Sequence, residues 1–164
     1  MNITFIGGGN MASAMIGGLL QQGWPAGAIR VVEIDAGARA RLARTLGVAT
    51  AADPAAGIAG ADCVVLAVKP QQLRGVALAL RGTLHAQLVI SIAAGIRSAD
   101  LSRWLGGYAR IVRVMPNTPA LVRAGISGLY AMPGIVDDDR ARVESVLGAV
   151  GTLLWLEREE QMDA

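Results

Sequence analysis

Glycines crowd one short stretch near the start of the chain, "FIGGGNMASAM" at residues 5–15. Gly7, Gly9 and Ala12 have the spacing G-x-G-x-x-A, after an apolar run and before an amphipathic one. The first glycine permits a tight strand-to-helix turn, the second lets a pyrophosphate approach the backbone, and the small third residue lets the helix pack on the sheet. The N–H groups from about Asn10 onward then face the phosphates. The stretch predicts a dinucleotide site, and a tight turn without a ligand is the alternative.

Charged residues near the predicted second strand bear on which dinucleotide binds. An acid at the end of that strand holds the 2′-hydroxyl of the adenosine ribose in NAD-binding domains. Asp35 stands there with Glu33 two residues before it, and either carboxylate disfavours a 2′-phosphate. Arg39 and Arg41 follow, where they could pair with that phosphate or form a solvated helix face. The cofactor is therefore predicted as NADPH or NADH.

Three further stretches follow buried strands, where ligands bind in such sheets: "AVKP" (67–70), "SIAAG" (91–95) and "MPNTP" (115–119). We expect the first to line the cofactor channel, with Lys69 either on a phosphate or ribose or simply exposed. The small residues of the second suit a nicotinamide or ribose lying against the backbone. The third holds Asn117 in a rigid turn, and a plain surface turn is the alternative.

The other chemically capable residues have simpler interpretations. His85, the single histidine, has no Cys or Asp partner pattern and is expected at the surface. Cys63 lies in the middle of an apolar run and is expected to pack in the core. The acidic residues 137–139 fit the start of a helix better than a metal site. No Ser/His/Asp or Cys/His arrangement and no zinc spacing is present, so no metal site and no catalytic residue are predicted in this chain.

The elements that position these residues alternate in type along the chain. Short β-branched runs predict strands, and longer amphipathic runs predict helices. The predicted strands are 2–6, 29–35, 48–50, 62–68, 88–94, 110–115, 125–132 (an edge strand) and 152–156. The predicted helices are 11–23, 37–47, 54–61, 71–82, 98–106 (with Ser98 as N-cap) and 137–151. This alternation predicts an α/β fold, a doubly wound, mostly parallel Rossmann-type sheet with helices on both faces.

Length and composition fit one such domain. The chain has 164 residues, of which 53% are hydrophobic and 17% charged, enough to bury a core. A net charge of +2 without a basic cluster argues against nucleic acid. We expect no signal peptide and no membrane segment, and the single cysteine favours a cytoplasmic protein. The dinucleotide-binding domain is predicted at 1–156, with the polar residues 157–164 starting a connection to a further C-terminal domain.

Four stretches in order, "FIGGGNMASAMIGGLL", "AVKPQ", "VISIAAGI" and "RVMPNTPALV", resemble pyrroline-5-carboxylate reductases. The resemblance runs from Met1 to the closing "GTLLWLEREEQMDA". It implies reduction of L-1-pyrroline-5-carboxylate to L-proline with NAD(P)H, a step of proline biosynthesis. The implied cofactor contacts are Ile6, Gly7, Gly8, Gly9, Asn10 and Met11 at the pyrophosphate, Ala67, Val68, Lys69 and Pro70 at the ribose and phosphate, and Ala93, Ala94, Gly95 and Asn117 near the nicotinamide.

The resemblance also implies what this chain lacks. Members of that family continue into a helical domain with a "SGSGPAY"-like segment, which forms the dimer and most of the substrate pocket. The chain is therefore expected to be the cofactor-binding half of a homo-oligomeric enzyme, inactive alone, with the proton donor to the imine nitrogen (a hydroxyl or a water) outside it. The alternatives are a related imine or 2-hydroxyacid reductase and an NAD(H)-sensing regulatory module.

Overall fold

The computed structural model describes residues 1–117 and 124–163, which form one eight-stranded sheet with helices on both faces. The strands are β1 (Ile3–Ile6), β2 (Ile29–Val32), β3 (Ala49–Ala51), β4 (Cys63–Leu66), β5 (Leu88–Ser91), β6 (Ile111–Met115), β7 (Gly125–Ala131) and β8 (Gly151–Trp155). The helices are α1 (Asn10–Gln21), α2 (Ala36–Leu46), α3 (Pro54–Gly57), α4 (Pro70–Leu80), α5 (Ser98–Trp104) and α6 (Asp137–Leu147).

The strand order is β3-β2-β1-β4-β5-β6-β7-β8. Strands β1 to β6 pair in parallel, β7 is antiparallel to β6, and β8 is parallel to β7. Strands β2 and β3 are thus added on one side of β1, and strands β4 to β8 are added on its other side. The predicted doubly wound, mostly parallel sheet is confirmed, and its order reverses between β1 and β4.

Two hydrophobic clusters cover the two faces of the sheet. One holds Phe5 and Val65 together with residues of α1, α2 and α6. The other holds Ile6 and Val64 together with residues of α4 and α5. Alternate residues of one strand enter opposite clusters, which explains the unbroken apolar sequence of β4. Cys63 packs in the first cluster, and burial raises the pKa of its thiol to about 12, so it stays protonated and inert.

The predicted edge position of residues 125–132 is wrong. Strand β7 is hydrogen-bonded to β6 on one side and to β8 on the other, so β8 is the edge. Side-chain alternation reports which faces of a strand are buried, and it carries no information on how many neighbouring strands there are. The last predicted helix is also shorter than expected, because α6 ends at Leu147 and a 3₁₀ turn, 148–150, leads into β8.

The predicted N-cap role of Ser98 is wrong as well. Ser98 is the first helical residue of α5, and Arg97 occupies the N-cap position without a side-chain cap. The backbone N–H and the Oγ of Ser98 donate to the carboxylate of Glu159, at 2.6 and 2.8 Å. That partner lies far away in sequence, so local pattern could not reveal it.

Within the described part of the chain, no helix is long and apolar enough to cross a membrane.

Candidate cofactor-binding site

The first glycine of the turn after β1 is required by the fold. Gly7 has φ +101°, and a Cβ there would lie 2.8 Å from the carbonyl oxygen of Ala67, beyond β4. Its N–H donates to the carbonyl oxygen of Val32 at 2.8 Å. Gly7 therefore sits where the ends of three strands meet, in a backbone conformation that favours glycine.

The next two glycines differ from each other. A Cβ on Gly8 would lie 2.5 Å from Cδ1 of Leu42, so this glycine lets α2 pack close to the turn. Gly9 has an ordinary φ of −77°, and a Cβ there would meet no atom within 4 Å. The fold tolerates a side chain at this position. The absence of one instead leaves space for a ligand to approach the backbone.

Helix α1 begins directly behind this open space. Gly9 is its N-cap and offers no side-chain hydrogen bond, and its first turn holds no acidic residue. The first N–H groups of a helix have no partners within the helix and carry a partial positive charge. In that turn Asn10 is exposed, Met11 half-buried and Ala12 buried against the sheet. The arrangement suits a phosphate group.

A cleft of about 570 Å³ opens at this point. It lies between the ends of β1 and β4, where the strand order reverses, which is where ligands bind in open α/β sheets. Seven of the predicted site residues line it: Ile6, Gly7, Gly8, Gly9, Ala67, Val68 and Lys69. Pro70, also predicted, is the first residue of α4 and adjoins the cleft.

Glu33, which the sequence analysis named beside Asp35, also lines the cleft. The walls that the sequence analysis did not identify are Val32, Ile34, Pro54, Gln71, Gln72, Gly75 and Val76. The last four share one face of α4, at spacings of one and four residues. A helical-periodicity argument applied to the residues after "AVKP" could have found them.

Asp35 and Arg39 are both engaged with the backbone between β2 and α2. The Asp35 carboxylate accepts the N–H of Ala38 at 2.7 Å and caps α2. Nη1 of Arg39 donates to the carbonyl oxygens of Glu33 and Ile34 at 2.8 and 3.0 Å. Neither side chain is among those that line the cleft, whereas Glu33 and Ile34 are.

The residues expected near the nicotinamide lie apart from the lining of this cleft. Ala93 is buried, and Ala94 and Gly95 are exposed in the loop after β5. Asn117 is exposed, and its Oδ1 accepts the N–H of Ile126 at 3.0 Å, which ties the end of β6 to β7. The rest of the "MPNTP" turn, from Thr118, lies outside the described residues.

This geometry defines a dinucleotide-binding domain of the Rossmann type. Residues 2–95 match the family described as NADP oxidoreductase, coenzyme F420-dependent, and the chain belongs to that family. The resemblance to pyrroline-5-carboxylate reductases is confirmed at the level of sequence and structure by the following comparisons.

Curated pyrroline-5-carboxylate reductases from Pseudomonas aeruginosa and Haemophilus influenzae are 47% and 45% identical to this chain. Each alignment covers 99% of this chain and 60% of the relative. The solved pyrroline-5-carboxylate reductase of Coxiella burnetii is 41% identical and matches with a TM-score of 0.95, over 99% of this chain and 61% of that one. The chain thus spans about 60% of the length of the curated relatives.

Proposed function

We propose that this chain is the cofactor-binding part of a pyrroline-5-carboxylate reductase, which reduces L-1-pyrroline-5-carboxylate to L-proline with NADPH or NADH. The observation that carries the proposal is the 47% identity to a reductase of that name over 99% of the chain. The cleft supports the proposal independently. Three features lie together there: the empty space beside Gly9, the N-terminus of α1 without a side-chain cap, and the point where the strand order reverses.

Each part of the cleft has a role in this proposal. The N–H groups of Asn10 to Ala12 bind the pyrophosphate, and Gly9 lets it come close. Residues 67–70 flank the ribose and phosphate, while Ala93–Gly95 and Asn117 lie near the nicotinamide. A bound NAD(P)H supplies the hydride for the C=N carbon, and the imine nitrogen takes a proton. The protein's task is to hold and orient the reactants.

The remaining functions belong to the part of the relatives that this alignment does not reach. We propose that 1–156 form the cofactor domain, and that 157–164 connect it to a domain that supplies the substrate pocket, the proton donor and the oligomer contacts. The 164-residue chain alone then binds the dinucleotide without turning over the substrate. A cytoplasmic location is part of the same proposal, in keeping with the buried, reduced Cys63.

Calorimetric titration of the chain with NADH and with NADPH tests the proposal. Saturable binding of one equivalent of either dinucleotide is expected, and adding L-1-pyrroline-5-carboxylate is expected to give no oxidation of the bound cofactor at 340 nm. Failure of both dinucleotides to bind would contradict the assignment of the cleft. Rapid turnover by this chain alone would contradict the assignment of the proton donor to another domain.

A further inference from the structure

The loop between β5 and α5 is the segment that the proposed function places beside the nicotinamide, and it is anchored at both ends. At its start, the N–H of Ile92 donates to the carbonyl oxygen of Leu66 at 3.2 Å. At its end, Ser98 is only 4% exposed. Between these anchors Ala94 and Gly95 are exposed, and a Cβ on Gly95 would meet no atom within 4 Å. Because the middle of the loop is open to solvent, its two ends determine where it lies.

The carboxylate of Glu159 holds the second of these ends. Its Oε1 accepts the backbone N–H of Ser98 at 2.6 Å, and its Oε2 accepts the Ser98 hydroxyl at 2.8 Å. Nη1 of Arg113 donates to the same Oε1 at 3.0 Å. Arg113 is buried on β6, where it lies opposite Ser91, the last residue of β5. Glu159 therefore ties the end of the loop to the strand that flanks its start.

The other contacts at this end of the loop are weaker. Arg97 occupies the N-cap position of α5 without a side-chain cap. Its Nη2 lies 3.5 Å from Oδ2 of Asp163, but both side chains are exposed, and exposed ion pairs contribute little. Glu159 is itself mostly buried against a buried guanidinium, so its position is well defined. It caps the start of α5 from 61 residues away along the chain.

This cluster is separate from the cleft at the ends of β1 and β4. Ser98, Arg113 and Glu159 are not among the residues that line that cleft. The groups assigned to the pyrophosphate, at the turn after β1 and the start of α1, are also free of contacts with Glu159. Loss of the Glu159 contacts should therefore disturb the nicotinamide end of the site and leave the pyrophosphate end intact.

We propose that Glu159 is a positioning residue for the nicotinamide, because it fixes the end of the loop so that residues 93–95 are already placed against the ring. The inference rests on the proposed function and deepens it. A loop held in its binding conformation needs less ordering when the ligand binds, so the ligand binds more tightly. Glu159 lies within 157–164, the segment that the proposed function assigns to the connection with a further domain. The contact thus links that connection to the nicotinamide end of the site.

Calorimetric titration of the 164-residue chain with NADH and with ADP-ribose tests this inference. ADP-ribose retains the adenosine, the pyrophosphate and the second ribose of NADH but lacks the nicotinamide. If NADPH binds more tightly than NADH, NADPH and 2′-phospho-ADP-ribose form the equivalent pair. Wild type is expected to bind the dinucleotide at least about fivefold more tightly than the ligand without nicotinamide, the benefit of a preorganised loop.

Glu159→Gln should remove most of that difference. Glutamine keeps the size of the side chain but replaces one acceptor oxygen by an NH₂ group, which cannot accept from Ser98 or Arg113. The dinucleotide should bind more weakly, while the affinity for ADP-ribose stays within about twofold of wild type, because the pyrophosphate end is unchanged. Glu160→Gln is the matched control, since it makes the same change on the adjacent, exposed residue, and it should keep the wild-type ratio.

Ser98→Ala is a second, milder variant that leaves the pair of Arg113 and Glu159 in place. It removes the hydroxyl donor to Glu159 but keeps the backbone N–H bond, so it should shift the ratio in the same direction by a smaller amount. Ser102→Ala is its control, because it makes the same change on the same helix at a half-buried residue that does not contact Glu159. Its ratio should equal that of wild type.

The possible results separate this inference from the proposed function. Equal affinities of wild type for the two ligands, or a wild-type ratio in Glu159→Gln, overturn the inference alone. Equal weakening of both ligands in Glu159→Gln also overturns it, since a purely structural role would produce that result. If Glu159→Gln does not fold, a wild-type ratio in Ser98→Ala overturns it. Absence of binding by all of these ligands overturns the proposed function, and this inference with it.

Discussion

At the scale of single residues, the three adjacent glycines of the turn are needed for three different reasons. Gly7 adopts a positive φ beside the backbone of Ala67, and Gly8 makes room for Leu42. Neither requirement applies to Gly9, because a Cβ there would meet no atom within 4 Å. Substitutions can therefore separate what the fold requires from what the ligand requires.

Gly9→Ala is expected to weaken dinucleotide binding while the domain stays folded, with a loss of stability of about 1 kcal/mol or less because alanine is a poorer N-cap than glycine. The φ of −77° at Gly9 suits alanine, and no protein atom would contact the new methyl group. The methyl group would, however, take up the space through which a phosphate reaches the N-terminal N–H groups of α1. We expect at least a tenfold loss of affinity, roughly the effect of misplacing a charge-assisted hydrogen bond. Calorimetry measures the affinity, and a thermal melt checks that the variant still unfolds cooperatively, with a midpoint only a few degrees lower.

Gly148→Ala is the matched control for Gly9→Ala. Gly148 is also exposed, has a φ of −58° and has open space around it, but it follows α6, away from the cleft. It should leave the affinity unchanged and should not lower the melting midpoint, because its helical backbone conformation suits alanine. Equal affinities of wild type and Gly9→Ala would show that no ligand group comes close to this backbone.

Gly7→Ala is expected to destabilise the fold itself. Gly23 provides the comparison, because its φ of +94° is similar to that of Gly7 while its surroundings are empty. Gly23→Ala should cost about 1 kcal/mol, the strain of a positive φ alone. Gly7→Ala should cost more, about 2–4 kcal/mol, since the Cβ also overlaps the carbonyl of Ala67. Urea unfolding of both variants checks the order, and equal losses would refute the steric argument.

At the scale of elements, an ion pair between a buried carboxylate and a partly exposed guanidinium fixes the start of α6 against the start of β6. Asp139, in the first turn of α6, is only 2% exposed, and its Oδ1 lies 2.6 Å from Nη2 of Arg110. Its Oδ2 accepts from Nε of Arg110 at 3.3 Å and from the N–H of Val136 at 3.4 Å. Hydrogen bonding to Arg110 lowers the pKa of Asp139 below its usual value of 3.8. The predicted acidic helix start is thus also an anchor.

Because of this ion pair, we expect the free energy of unfolding to decrease in acid. Because the pKa of Asp139 is lower in the folded than in the unfolded state, its contribution is fully present above pH 4 and is lost as the pH falls through the folded-state pKa. Asp139→Asn should lose about 1–2 kcal/mol at pH 7, since Arg110 loses its countercharge but is 32% exposed and keeps its hydrogen bond to the carbonyl oxygen of Ala86. The free energy of unfolding of the variant should also fall less steeply below pH 4 than that of wild type.

Asp138→Asn is the control for this element. It removes a charge from the same first turn, but its side chain is exposed. A loss of about 0.5 kcal/mol, the share of the helix dipole, is expected at pH 7. Parallel pH curves for wild type and Asp139→Asn would contradict the role of the ion pair.

At the scale of the whole molecule, a second charge cluster joins the end of the chain to the middle of the sheet. Arg113, on β6, is 1% exposed, and its Nη1 lies 3.0 Å from Oε1 of Glu159. The same carboxylate accepts both hydrogen bonds of Ser98, and Asp163 lies 3.6 Å from Nη2 of Arg113. Within the described residues, Nε and Nη2 of Arg113 make no hydrogen bond. Glu159 therefore provides most of the compensation for a buried charge.

Glu159→Gln is expected to destabilise the domain by about 3 kcal/mol, because it leaves the buried Arg113 guanidinium with only Asp163, which is more distant and 44% exposed, as a countercharge. The adjacent, exposed Glu160→Gln should stay within about 0.5 kcal/mol of wild type. Urea unfolding measures both. Faster proteolysis after residue 156 in Glu159→Gln is expected too, since the final turn loses its anchor. Similar stabilities of the two variants would mean that the cluster does not hold the end of the chain.

The fold class could be predicted from the amino-acid sequence, and so could the turn at which the candidate cleft opens. Burial periodicity is a local property, so it predicted strands such as β4 and helices such as α1 to within a few residues. The turn at Gly7 to Gly9 could also be predicted, because a tight strand-to-helix turn and a closely bound phosphate each require small residues at fixed spacing. The same stretches carried the family resemblance.

The partners of the polar side chains could not be predicted from the sequence and are seen only in the folded chain. Asp35 and Glu33 are equivalent acids in the sequence, and they diverge because one caps α2 while the other borders the cleft. Strand β7 lies inside the sheet because β8, which follows α6, pairs with its outer side. The chain after β8 then brings Glu159 within hydrogen-bonding distance of Ser98 and Arg113. These contacts depend on where distant segments come together and on where side chains point, and neither has a local pattern.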